Sequence, residues 1–204
     1  MEIINESDLN ALEKAKSVIL GGGVICFKSD TVYGFACDAR NDGAVAKIYK
    51  LKNRSVKKPI AIFVNDMLMA KKIFAFNKDS SDFCSNYMPG AVTLVAKIKE
   101  NSDITLAKNL NLESNFIGFR IIEGKFVNDL ISSLDFPLAV TSANISDSKE
   151  LLSKDEVVNA FTKVKYNNFL LIDGGKSSPI GVSTVVKIDD EGVKILRQGI
   201  MKIN

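Results

Sequence analysis

The sequence predicts an α/β protein: a twisted mixed β-sheet flanked by helices, in a single domain over residues 1–204. Three observations predict it. Short apolar runs of strand length alternate with amphipathic stretches of helix length along most of the chain. The last two runs, Val182 to Ile188 and Val193 to Leu196, face each other across Asp189-Asp190-Glu191-Gly192 and read as a hairpin, which makes the sheet mixed. Finally, 204 residues with 46% apolar and 25% charged side chains suit one core that needs no staple.

The elements follow in order. Ser7 can cap a helix from about Asp8 to Leu20, with Leu9, Leu12 and Ile19 on one face, and Gly21-Gly22-Gly23 ends it. Val24 to Phe27 reads as a buried strand, and Lys28-Ser29-Asp30-Thr31 as a polar turn. Asp42 opens a helix carrying Val45, Ile48, Tyr49 and Lys52. Pro59 to Val64 is a strand, followed by helices over Asp66 to Phe76 and Ser80 to Met88. Val92 to Ile98 and Phe116 to Ile122 are strands, Lys125 to Leu134 a helix and Pro137 to Thr141 a strand. Ser153-x-x-Glu156 is a capping box before another helix, and Phe169 to Ile172 a further strand. The polar run from Glu100 to Asn115 is the best candidate for a mobile loop. No repeat, low-complexity tract or linker divides the chain.

Composition removes several function classes. Histidine is absent, which excludes a Ser-His-Asp triad, a Cys-His pair and any His-ligated metal. Cys26, Cys37 and Cys84 are odd in number with no CxxC spacing, so a reducing compartment is expected and no protein-held metal. The start, MEIINESDLN, has neither a basic nor an apolar leader region, and no apolar run reaches the roughly 20 residues of a membrane span. A cytoplasmic protein without membrane contact is the expectation. The net charge of +3 is too small to argue nucleic-acid binding by itself.

The glycines do not make a phosphate loop. Gly21-Gly22-Gly23 lacks a following Gly-Lys-Ser/Thr, and Gly175-Lys176-Ser177 lacks its first glycine, Leu170 standing there. A helix stop and a strand-end turn are the readings. Any bound nucleotide needs other groups for its phosphates. Lys52-Asn53-Arg54 with Lys57 and Lys58 is the densest basic cluster. It suits either a solvated helix C-terminus or a polyanion clamp, with Arg supplying forked donors and Lys a point charge. Two strand ends, Ser29 to Tyr33 and Thr141-Ser142-Ala143-Asn144, stand where ligands sit in α/β sheets. Ser, Thr and Asn are also ordinary turn formers.

In combination these pieces say more. Asp30-Thr31-Val32-Tyr33-Gly34, Lys52-x-Arg54 with Lys58-Pro59, Pro89-Gly90-x-x-Thr93, Gly118-x-Arg120, Ser142-Ala143-Asn144, Ser183-Thr184-Val185 and Arg197-x-Gly199 occur in that order. The set resembles the YrdC-like family, the threonylcarbamoyl-AMP synthases, from about Gly23 to Gly199. The resemblance implies a concave basic cavity and a synthase that makes threonylcarbamoyl-AMP and pyrophosphate from L-threonine, bicarbonate and ATP, with Mg2+ accompanying ATP. A tRNA threonylcarbamoyl transferase would take the product to an adenosine beside the anticodon. The resemblance further implies that Lys52, Arg54, Ser142 and Asn144 are catalytic. Threonine falls to Thr31, Tyr33, Arg120, Thr141 and Ser183. ATP falls to Lys52, Arg54, Lys58, Ser142, Asn144 and Arg197.

The chain departs from the family pattern at Lys28-Ser29 in place of Pro-Thr, at Ala91 in place of Pro, in having no Pro after Arg120, and at Phe63 where His is common. Its end near Asn204 suggests the short form without a second domain. Two other readings stand beside the synthase: a module of the same fold that binds RNA weakly without catalysis, and a carbamoyl-transfer paralogue of the kind used in hydrogenase maturation. That paralogue carries zinc-finger-like cysteines, which this sequence lacks.

Overall fold

The computed structural model describes residues 1–162, 168–177, 181–189 and 192–203. Among them, ten strands form one sheet. In chain order the elements are β1 (Glu2–Asn5), α1 (Ala11–Leu20), β2 (Val24–Lys28), β3 (Tyr33–Asp38), α2 (Asp42–Lys52), β4 (Ala61–Phe63), α3 (Met67–Ile73), α4 (Lys78–Tyr87), β5 (Val92–Lys97), a 3-10 turn (Lys108–Leu110), β6 (Phe116–Arg120), α5 (Lys125–Leu134), β7 (Leu138–Ser142), α6 (Lys154–Phe161), β8 (Phe169–Asp173), β9 (Thr184–Asp189) and β10 (Gly192–Arg197). Across the sheet the order is β1-β8-β2-β3-β7-β4-β6-β5-β9-β10. Four of the contacts are parallel (β1/β8, β2/β8, β4/β6, β5/β9) and the others antiparallel, so the sheet is mixed as expected.

Side chains alternate between the two faces of a strand, and this alternation divides the molecule. Ile62, Leu94, Phe119 and Val186 are each 0–1% exposed and belong to the core. There Phe74, just after α3, stacks on Phe119 with ring centroids 4.8 Å apart, and Phe76 meets the same ring edge-on at 5.7 Å. Their in-strand neighbours Ala61, Phe63, Thr93, Val95, Gly118, Arg120 and Val185 face the other way and line a cavity. The register aligns them in rows: Ala61 beside Val140, Phe63 beside Arg120, Val95 beside Gly118, and Thr93 beside Val185.

Several boundaries differ from expectation for local reasons. Ser7 does not cap α1. Its hydroxyl donates to Asn5 Oδ1 (2.7 Å), while α1 starts later behind Asn10, which makes no side-chain cap bond. Asp42 opens α2 as expected, with Asn41 capping it by accepting from Ala44 N at 3.0 Å. Ser153 caps α6 as predicted, but the Glu156 carboxylate reaches one residue further back, to Leu152 N (2.8 Å). β1 and β3 had no counterpart in the sequence reading. The polar run at 100–115 is anchored at several points, two of them near its middle. Ala107 N donates to Ala39 O (2.8 Å), Leu110 O accepts from Ile60 N (3.0 Å), and Leu110 is fully buried. The predicted hairpin is present, although residues 190 and 191 of its turn lie outside the described residues.

Candidate active site

The cavity lies on the open face of β3, β7, β4, β6, β5, β9 and β10 and has a volume of about 460 Å3. That is within the range of roughly 300–1000 Å3 typical of sites that enclose small molecules. One wall begins where β2 ends. The Ser29 hydroxyl donates to Val32 O (2.6 Å), accepts from the amides of Thr31 and Val32, and lies 2.9 Å from Thr31 Oγ1. A hydroxyl is what this turn requires, and Ser29 supplies it. The turn holds Thr31 on the cavity wall. Tyr33 follows on the same wall, but its hydroxyl is committed to Gly175 O at 2.8 Å.

The opposite wall carries Ser183 and Arg197. Ser183 Oγ lies 2.9 Å from Thr93 Oγ1, and Arg197 donates through Nε and Nη2 to Ser183 O at 3.2 and 2.8 Å. Gly199 is obligatory here, because a Cβ at that position would fall 2.3–2.4 Å from Val182 O, Ser183 C and Thr184 N. Gly118 has a related role on the floor, where a Cβ would meet Thr93 Cγ2 at 2.8 Å. Arg120 is 3% exposed and lines the floor. It pairs with Asp30 at 2.7 Å and donates to Gly90 O. Burial lowers its pKa, opposed by Asp30.

The basic cluster divides into three environments. Arg54 lines the cavity, held by Nε to Lys58 O (3.1 Å) and Nη2 to Pro59 O (2.8 Å). Lys58 points away into an exposed pair with Asp147 (2.8 Å). Lys52, 1% exposed, lies behind the wall. Its ammonium donates to Ser142 O (2.5 Å), Asn144 O (2.8 Å) and Asn144 Oδ1 (2.8 Å). Asn144 Oδ1 also accepts from Ser142 Oγ (2.7 Å), and Asn144 Nδ2 donates to Ser148 O. Burial, and then the Arg54 charge, lower the Lys52 pKa to about 7.

A family model described as "Telomere recombination", for Sua5, YciO and YrdC, matches residues 17–199. The chain belongs to the Sua5/YciO/YrdC family. A relative from Methanocaldococcus jannaschii, a "Putative threonylcarbamoyl-AMP synthase", is 32% identical over 203 residues, covering 99% of this chain and 92% of that protein. The mouse "Threonylcarbamoyl-AMP synthase" is 34% identical over 173 residues, which is 85% of this chain but 58% of the mouse protein. The chain thus spans little more than half the length of the mammalian relative. Among solved structures, P. abyssi Sua5 complexed with L-threonine superposes with a TM-score of 0.85 at 23% identity, over 97% of this chain and 57% of that one. At that identity the likeness speaks for the fold.

Against the family pattern, the structure gathers Thr31, Tyr33, Arg54, Arg120, Thr141, Ser142, Ser183 and Arg197 around one cavity. Lys52, Lys58 and Asn144 are not on its lining. Lys52 and Asn144 brace Ser142 from behind, and Lys58 is at the exposed Asp147 pair. The sequence reading placed Ser29 and Asp30 at a ligand-binding strand end without an individual role, and gave no site role to Phe63, Thr93, Asn111, Ser114 or Phe116. Asp30 and Thr93 stood inside the quoted motifs, and only the contacts reveal what they hold. Asn111 and Ser114 belong to the polar run, whose lack of periodicity gave no signal. Among the described residues no helix is long and apolar enough to cross a membrane.

Proposed function

We propose that residues 1–204 act as one domain with L-threonylcarbamoyladenylate synthase activity, a nucleotidyl transfer. The observation that carries this reading is the cavity lining. It combines the hydroxyls of Thr31, Thr141, Ser142 and Ser183 with the guanidiniums of Arg54, Arg120 and Arg197 around one space. The names of the archaeal and mammalian relatives support the same reading, as does the threonine carried by the P. abyssi structure. In this reaction the threonine amine and bicarbonate give a carbamate and water. A carbamate oxygen then attacks the α-phosphate of ATP, and pyrophosphate leaves. Such chemistry depends mainly on positioning and charge neutralisation, which a histidine-free site can supply.

Arg54 and Arg197 are placed to neutralise the triphosphate, Arg120 to hold a carboxylate, and Ser142 to sit between them. Lys52 and Asn144 contribute by fixing Ser142, and Lys58 reaches phosphate by exchanging Asp147 for it. Mg2+ enters on ATP with phosphate and water ligands. Among the described residues no group of three or more His, Cys, Asp or Glu is placed to hold an ion. The labile mixed anhydride passes to a tRNA-modifying transferase in the cytoplasm.

The test is direct. With ATP, L-threonine and labelled bicarbonate the protein should release pyrophosphate, and omission of threonine or bicarbonate should abolish the release. Serine should be much poorer. Valine should be poorer still, because a pocket that pairs a hydroxyl discriminates strongly against ligands lacking it. Equal turnover with valine would sink the reading, and salt-dependent RNA binding without ATP turnover would replace it with the RNA-binding module.

A further inference from the structure

Arg120 carries five N–H donors in a rigid fork, and the protein occupies one edge of that fork. Nη2 lies 2.7 Å from Asp30 Oδ2, 3.0 Å from Asp30 Oδ1 and 2.7 Å from Gly90 O, while Nε lies 3.3 Å from Gly90 O. The Gly90 carbonyl is itself fixed, because Gly90 N donates to Ile121 O, one residue beyond Arg120 (2.9 Å). The guanidinium carbon stands 5.3 Å from the centre of the Phe63 ring, the cross-strand neighbour of Arg120. Among the described residues Nη1 has no partner.

Asp30 is not on the cavity lining and reaches the cavity through Arg120. We propose that Asp30 is a positioning residue: with Gly90 it clamps the Nε/Nη2 edge of Arg120 and leaves Nη1 to anchor a ligand carboxylate from one nitrogen. Without the Asp30 carboxylate, Nη2 loses its charged acceptor and the fork can rotate about the Gly90 contact. The inference deepens the synthase reading and rests on it, since the carboxylate in question is that of the amino acid. It also accounts for an acidic residue inside an otherwise basic site. Asp30 orients the guanidinium, and a second role as a competing counter-charge would have the opposite effect on affinity.

That opposition of sign supplies the test. L-threonine and L-threoninamide, which lacks the carboxylate, are titrated calorimetrically against wild type, Asp30→Ala and Asp30→Asn. Wild type should prefer threonine. Asp30→Ala should weaken threonine by about tenfold or more, the scale of a lost charge-assisted contact, and shift threoninamide less than about twofold. Asp30→Asn keeps an acceptor for Nη2 and should stay within about threefold of wild type. If Asp30→Ala does not fold, Asp30→Ser takes its place, being suited to the turn but too short to reach Nη2. Tighter threonine binding in the Ala, Ser or Asn variant would show Asp30 to be a competing counter-charge and overturn the proposal. Equal weakening of both ligands would reduce it to a purely structural residue. A wild type that shows no preference for threonine would overturn the synthase reading itself, before any variant is considered.

Discussion

Lys52→Met removes one ammonium from a site where three acceptors converge on it: Ser142 O, Asn144 O and Asn144 Oδ1. Two effects oppose each other. Replacing a buried charge by an apolar side chain of similar length relieves desolvation, and this can be stabilising where the partners are replaced as well. Here the partners remain. Asn144 Oδ1 keeps the Ser142 hydroxyl and Ser142 O keeps the Asn144 N–H (3.0 Å), but Asn144 O loses the ammonium at a position 1% exposed. An orphaned buried acceptor costs about 1–3 kcal/mol, so the orphaned Asn144 carbonyl, with the lost tie to Ser142, should outweigh the relief and leave a net loss of about 1–3 kcal/mol. For a chain of this size that lowers the melting temperature by about 3–10 °C.

The pH dependence provides a second check on the same variant. Burial, and then Arg54, lower the Lys52 pKa from 10.5 to about 7, with Glu150 and Asp147 opposing. A base whose folded pKa lies below its unfolded value binds fewer protons when folded. Wild-type stability should therefore rise with pH between about 7 and 10, and Lys52→Met should flatten that rise. Urea unfolding followed by circular dichroism at several pH values measures both effects. A variant that melts within about 2 °C of wild type and keeps the same pH slope would refute the bracing role.

Two further predictions test the wall that Lys52 supports. Arg54→Ala should weaken ATP binding about tenfold, the scale of a lost charge-assisted contact, and leave threonine binding within twofold; unchanged ATP affinity by calorimetry would make Arg54 a helix-end cation only. Ser142→Ala should melt near wild type but turn over on the order of a hundredfold more slowly, the scale of a lost transition-state donor, its hydroxyl turning from Asn144 Oδ1 to the developing charge as the reaction proceeds, whereas Asn144→Ala should lose about 1–3 kcal/mol of stability because its amide holds Lys52 and Ser148 together; melting curves and single-turnover rates on the same samples separate the two, and an Asn144→Ala protein of wild-type stability would undo the distinction.

The sheet was legible in the sequence wherever a strand carries a pattern or a boundary. β2, β5, β6, β7 and β8 are bounded by turn residues or helices, and α5 emerged with the bounds predicted for it. β3 escaped because it is buried along its whole length. Tyr33, Gly34, Phe35, Ala36, Cys37 and Asp38 show no alternation, and the polar turn before them drew attention to the motif instead of the strand. β1 is a four-residue edge strand, too short to show a period. The site residues were legible as an ordered set, but which of them face the cavity was not. Lys52 and Arg54 are two residues apart at a helix end. One points into the core and the other into the cavity, a difference fixed by the left-handed Asn53 between them (φ 48°).

The cations of the site share a pattern that bears on how two substrates are sorted. Arg54, Arg120 and Arg197 line the cavity, and each is held through Nε and Nη2 by backbone carbonyls: Lys58 O and Pro59 O, Gly90 O, and Ser183 O. Among the described residues none of the three has a partner at Nη1. A carbonyl fixes a guanidinium without cancelling its charge, so Arg54 and Arg197 keep a full positive charge toward the cavity. Burial lowers the pKa of Arg54 and of Arg120, and the Arg197 charge adds to the lowering of both. Arg120 alone carries a carboxylate, Asp30, at ion-pair distance. A polyanion therefore gains most between Arg54 and Arg197, which among the described residues have no carboxylate at ion-pair distance, Asp147 and Glu150 acting on them only from further off. A zwitterion, which brings no net charge, suits the compensated Arg120 floor. On the proposed synthase function, this charge pattern would put the triphosphate on the Arg54–Arg197 side and the amino acid on the Arg120 side. Ser142, braced by Lys52, stands on the wall between them.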